Sequence, residues 1–385
     1  MKKIYILVSL VFILLSGCSS SNNDLGDVSN GLIKKPDSVK VGVLFDFSGG
    51  DAIFSGYGLK VLEMAVNETN LNGGINGVPI ELVVRDGKCT PVGGRDAARE
   101  LVDLGVKFIV GGICSDETLG AASVTDPARV ILISPSSTSP SISEAGDFVF
   151  RTVPSDGISA RSLASYVFDK GYENIAILSE NTAFTSGVRV NFIEAFEELG
   201  GTIEIKETFE TIDEDLSDEV LAVKNSNSDG VLFLVLGNDP FRKLVGEMEK
   251  QELDLPLFTG EYLESGAARE GFEEFLTGTV YPGLFVSRDD EKTIKFTNSL
   301  IEVYGEDFTL KDHLYYLASV YDLEKILAMG LNACDFDDSV CVRDYFYSLE
   351  SFDGIIGVNS FNELGDSDLM HSIIQFDGED FSVVD

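Results

Sequence analysis

Ser115 follows the apolar run Phe108-Ile109-Val110-Gly111-Gly112 and opens a stretch of helical pattern. The first N–H groups of a helix lack an intrahelical acceptor and carry partial positive charge. That end of a helix suits a carboxylate, and a serine there can add its hydroxyl. Serine is also a common plain N-cap, and Asp116 and Glu117 already complement the helix dipole. A second hydroxyl-rich segment, Ser134-Pro135-Ser136-Ser137-Thr138-Ser139-Pro140, follows the strand expected over 130–134. Its hydroxyls, Ser136 and Thr138 among them, could ring an anion with nearby backbone N–H groups. A polar loop between two prolines accounts for the same composition. Glu261 comes after Leu257-Phe258-Thr259-Gly260 and could meet an ammonium group, although a carboxylate after a strand is usually just solvated. Phe54, Phe184 and Asn238 also fall on loops after strands. Taken alone each reads as packing or turn chemistry, and Asn238-Asp239-Pro240 is an ordinary helix start.

Signatures of catalysis are sparse. His313 and His371 are the only histidines, and neither is placed to activate a serine. There is no G-x-S-x-G elbow, no phosphate-binding Walker loop and no Cys/His metal spacing. Asp213-Glu214-Asp215 and Asp335-Phe336-Asp337-Asp338 lack the central glycine and terminal glutamate of an EF-hand loop. No cofactor, no metal and no enzyme activity is expected. Binding rather than turnover is the chemistry these residues offer.

The elements that must position them alternate. Short apolar strands are expected at 39–45, 80–84, 108–110 and 130–134, with helical patterns between them. A second set of the same rhythm runs from 158 to 259. Alternating strands and helices imply parallel sheets covered on both faces. Two such α/β lobes leave a cleft at the carboxyl ends of their strands, where ligands bind in this architecture. Helical patterns at 293–304, 314–331 and 340–349 follow the second lobe and should pack on the first. Two apolar stretches near the end, 355–361 and 373–376, read as strands.

The ends and the charge bound the setting. Lys2 and Lys3 precede an apolar stretch too short to cross a bilayer, which reads as an export signal over 1–17. Leu15-Ser16-Gly17-Cys18 resembles the bacterial lipobox, which makes Cys18 the expected lipid attachment and 18–38 a polar tether. Net charge is −37, from 28 Lys+Arg against 65 Asp+Glu. That excess opposes binding to nucleic acid or to an anionic lipid surface. The five cysteines match one lipid and two disulfides, and thiols bonded this way belong outside the reducing cytoplasm.

From 39 to 376 the chain resembles the periplasmic leucine/isoleucine/valine-binding proteins, solute receptors of branched-chain amino acid ABC importers. The resemblance rests on Asp86-Gly87-Lys88-Cys89, on Gly111-Gly112-Ile113-Cys114-Ser115 and on the Ser134–Pro140 segment. Asn72-Gly73-Gly74-Ile75-Asn76-Gly77 and Phe352-Asp353-Gly354-Ile355 are also similar. It implies a type I periplasmic-binding-protein fold: lobe I over 39–153 with 284–353, and lobe II over 154–283 with 354–385. Three hinge segments are implied, near 153–157, 281–285 and 353–356.

A Cys89–Cys114 disulfide is implied, pinning the loop of the binding serine. Cys334 and Cys341 are read as a local pair. The implied ligand contacts are Ser115, Ser136 and Thr138 for an α-carboxylate, Glu261 for an α-ammonium, and Phe54 over the side chain. Phe184 stands where the family has a tyrosine, and Asn238 where it has another aromatic. The expectation is a monomeric, lipid-anchored receptor that closes on an amino acid and is read by permease subunits. A sensing receptor, or a binder of an amide, urea or small carboxylate, is the alternative.

Overall fold

The computed structural model describes residues 35–50, 52–284, 286–305 and 314–384. The export signal, Cys18, His313 and Phe285 of the second expected hinge lie outside the described residues.

The first sheet is parallel. Its strands are β1 (Val39–Phe45), β2 (Ile80–Asp86), β3 (Phe108–Gly111), β4 (Ile131–Ser134) and β5 (Val149–Arg151), in the order β2-β1-β3-β4-β5. Helices α1 (Ala52–Leu71), α2 (Pro91–Asp103) and α3 (Ser115–Thr125) make the crossovers. Neighbouring residues of β1 point to opposite faces. Val43 packs into the core shared with Val61 of α1, and Leu44 into the core shared with Leu101 of α2 and Ala121 of α3. With both faces covered, β3 and β4 are buried along their whole length.

The chain then enters a second lobe. It runs α4 (Asp156–Asp169), β6 (Asn174–Glu180), α5 (Ala183–Glu198), β7 (Thr202–Phe209), α6 (Ser217–Lys224), β8 (Gly230–Leu234), α7 (Asn238–Lys250) and β9 (Leu257–Phe258). A 3-10 turn at Glu261–Glu264, α8 (Gly266–Arg269) and β10 (Val280–Gly283) follow. Next come α9 (Glu291–Tyr304), α10 (Leu314–Ala333) and α11 (Ser339–Tyr347). Leu323 of α10 and Phe346 of α11 are buried in the same core as Val43 and Val61 of the first lobe. A small hairpin, β11 (Phe352–Asp353) with β12 (Val358–Asn359), precedes β13 (Ser372–Phe376) and β14 (Phe381–Val383). The second sheet has the order β14-β13-β10-β9-β8-β6-β7.

Two expectations shift. The second sheet is not wholly parallel: β13 pairs antiparallel with β10, and β14 antiparallel with β13. A short return turn joins β13 to β14, which only an antiparallel pair allows. The third crossing also falls later than 353–356. Ile356, Phe361 and Leu369 are buried in the first lobe's core, and Ile373 is the next residue buried in the second's.

Side chains from afar hold that late segment. Asp322 accepts the N–H groups of Ile355 and Ile356 at 2.7 and 3.0 Å. Arg151, fully buried, pairs with Asp366 at 2.7 Å.

Candidate functional site

Cys89 and Cys114 are bonded, as are Cys334 and Cys341. The first bond ties the loop after β2 to the residue that caps α3. Cys114 is that N-cap, and no side chain caps the helix. Ser115 is therefore the first residue inside the helix, not its cap. It is 4% exposed, and its Oγ accepts the Ser139 N–H at 3.2 Å. The two hydroxyl-bearing loops of the first lobe are thus joined to one another.

A buried network holds both loops from below. Ser134 Oγ donates to the Gly112 carbonyl at 2.7 Å, and Gly112 N–H donates to Thr118 Oγ1 at 3.0 Å. Thr118 Oγ1 lies 2.7 Å from Ser137 Oγ. Glu117, with no exposed surface, folds back so that Oε2 accepts the Ile113 N–H at 2.7 Å. Gly87 and Gly112 leave room for it, since a Cβ on either would collide with its carboxyl group. Burial and the nearby Asp46 carboxylate push the Glu117 carboxyl up to about 8.

Phe54, Ser115, Ser136, Thr138, Phe184, Asn238 and Glu261 all line one cavity of about 200 Å³ between the lobes. Phe54 lies flat against Tyr316, ring centroids 3.9 Å apart. Asn238 Oδ1 accepts the Ser265 hydroxyl at 2.7 Å, so one polar atom of that side chain is already engaged. Thr138 is 6% exposed, and its carbonyl accepts the Asp156 N–H at 2.9 Å.

Asp156 escaped the reading of the sequence, where Pro154-Ser155-Asp156 looks like an ordinary helix start. It is 5% exposed, and its Oδ2 has no hydrogen-bond partner. Burial raises its carboxyl to about 6 against the pull of Thr138 and Arg151. Burial also raises Glu261 to about 8, with Asp156 and Glu264 adding like charge. Tyr315, Tyr316 and His371 line the cavity as well. Tyr315-Tyr316 has the apolar-with-hydroxyl character that could have marked it. His371 is held neutral, its pKa lowered to about 4 by burial and then by Arg151. No Lys or Arg lines the cavity among the described residues.

The site therefore has a hydroxyl-rich face beside a helix N-terminus and an acidic face across from it. Asp46, Cys89 and Cys114 cluster within 4.8 Å, but the two sulfurs are bonded to each other, so this is no metal centre. No described helix is long and apolar enough to cross a membrane.

Residues 38–375 match the family model described as "Periplasmic binding protein". The chain belongs to the periplasmic binding protein family. Members of this family are extracytoplasmic solute-binding proteins. Among relatives, the chain is 27% identical to the leucine-, isoleucine-, valine-, threonine- and alanine-binding protein of Pseudomonas aeruginosa over 52% of its own length. It spans about half of that relative, 54%. Among solved structures it is similar to the branched-chain amino acid substrate-binding protein LivJ of Streptococcus pneumoniae in complex with isoleucine. That match has a TM-score of 0.79 at 22% identity, covering 90% of this chain and 99% of that one. It is also similar to a solute-binding protein of R. palustris in complex with 4-hydroxybenzoate. There the TM-score is 0.80 at 18% identity, covering 91% and 96%. Both structural matches establish the periplasmic-binding-protein fold.

Proposed function

We propose that this protein is the receptor of an ABC importer and closes on an amino acid held in the cleft. One observation carries the reading: hydroxyl-bearing loops of the first lobe and Glu261 of the second line a single cavity. The ligand carboxylate sits at the N-terminus of α3 with Ser115, Ser136 and the Thr138 loop. The ammonium sits at Glu261, and the buried Asp156 adds negative charge on the same side. Phe54, Phe184 and Asn238 surround the side chain. A 4-hydroxybenzoate-like ligand shares the carboxylate but brings Glu261 a neutral hydroxyl rather than a positive charge, so the acidic face favours a zwitterion.

Closure strengthens both charged contacts by removing water. Hydrogen bonds to charged groups contribute roughly 1.5–3 kcal/mol each. A micromolar receptor needs about 8 kcal/mol, which three or four such contacts supply. The partners in this reading are permease subunits and, through a lipid on Cys18, the outer face of the membrane. The receptor acts as a monomer in a tandem of lobe I and lobe II. A sensing role would use the same closure. A thermal-shift screen of amino acids, amides, urea and small carboxylates tests the ligand class, since binding raises stability by mass action. A rise with an amino acid supports it; a rise only with ligands lacking an ammonium overturns it.

A further inference from the structure

Ser115 and Thr138 line the cavity, and the residue after each of them faces the other lobe. Asp116 Oδ2 accepts the N–H of Ala183 at 3.1 Å. Ser139 Oγ donates to the carbonyl of Ala183 at 3.1 Å. Ala183 is the first residue of α5, and Phe184 beside it lines the cavity. Both main-chain polar groups of one second-lobe residue are thus held by the first lobe. The Ala183 N–H has no acceptor inside its own helix, and the Asp116 carboxylate meets the positive end of α5. One turn on, Gly187 lies against Pro140. A Cβ on Gly187 would stand 2.5 Å from Pro140 Cδ, so the helix docks closer than any side chain there permits.

The geometry points to Asp116 and Ser139 as affinity-determining residues, a two-point clamp on Ala183 that holds the lobes closed without touching the ligand. This rests on the proposed cleft. A ligand on Ser115 and Thr138 orders the same two loops that carry the clamp, and Ser139 N–H already ties one loop to the other. Ligand occupancy and lobe closure are therefore linked through chain neighbours. Apparent affinity falls with the fraction of molecules able to adopt the closed form. Loss of the clamp should weaken binding although every ligand contact remains.

Calorimetry and stopped-flow dissociation with L-leucine and L-isoleucine on the full chain test this. Asp116→Ala should weaken binding about 10-fold, the size of one charge-assisted hydrogen bond, chiefly through a faster off-rate. Asp116→Asn should fall between that variant and the wild type, and Gly187→Ala should also weaken binding. Ligand-free stability should change by less than the binding free energy lost, which separates a clamp from a merely structural role. Hydrogen exchange at the Ala183 amide without ligand gives an independent arm: it should be faster in Asp116→Ala than in the wild type. Equal exchange overturns the clamp whether or not an amino acid binds. Failure of every amino acid to bind the wild type, with exchange still faster in the variant, overturns the ligand reading and leaves the clamp standing. Unchanged affinity in all three variants, or a weakening matched by an equal loss of ligand-free stability, contradicts it.

Discussion

Glu117 accepts the Ile113 N–H at 2.7 Å from beneath the loop that presents Ser115. Asp46 is the carboxylate that faces it, and the disulfide-linked Cys89 and Cys114 supply the neighbouring backbone. The native state therefore keeps a proton that the unfolded chain gives up near the ordinary glutamate value.

A group whose native pKa is raised to about 8 favours unfolding as pH climbs, because the native state binds more protons across that window. Stability should fall from about pH 4.5, with the full loss reached above about 8. Glu117→Gln, which retains an acceptor for Ile113, should show a smaller fall. Melting curves between pH 5 and 9 compare the two, and parallel profiles would reject this role for Glu117.

Ligand binding should release protons. Glu261, raised to about 8, is largely protonated at pH 7 in the empty cleft. An arriving ammonium favours the carboxylate and lowers that pKa. Calorimetry in phosphate and in Tris should give different apparent enthalpies of the sign expected for release. Identical enthalpies would remove Glu261 as the ammonium partner.

The two disulfides should separate stability from binding. Cys89–Cys114 spans 25 residues, and closing a loop of that size contributes about 3 kcal/mol in the chain-entropy model. Replacing both cysteines by serine should lower stability and also weaken binding, because the Ser115 loop loses its tether. Replacing Cys334 and Cys341 should lower stability alone. Equal affinity losses in the two double variants would count against the positional role.

Arg151 and Asp366 form a buried pair, and Arg151 also donates to the Ser139 carbonyl at 2.8 Å and to Ser143 Oγ at 2.7 Å. Asp366→Ala leaves the guanidinium without its counter-charge and should cost about 3–5 kcal/mol. Urea unfolding measures it, and a loss below about 1 kcal/mol would show the pair to be dispensable.

Strand–helix alternation made both lobes legible, because inner strands such as β3, β4 and β8 are buried on two faces and read as continuous apolar runs, while the edge strand β7 reads by alternation. Ser115 and the Ser134–Pro140 loop were legible for the same reason: they follow β3 and β4. The role of Glu117 was not. Its place in the first helical turn suggests dipole complementation, and only the empty space at Gly87 and Gly112 shows the side chain turning inward. Asp156 was hidden by a sequence that suits any helix start. The late third crossing depends on Asp322 and Arg151 gripping a segment far along the chain, and no local pattern records such a grip.

In the proposed complex Ser115 and Glu261 hold the two ends of one zwitterion. Calorimetry with a panel of amino acids measures it most directly, on the wild type, Ser115→Ala and Glu261→Gln. The wild type should bind one amino acid tightly, and each variant should lose at least about 10-fold. Wild-type affinity retained in Glu261→Gln, or no amino acid bound by the wild type, would contradict it.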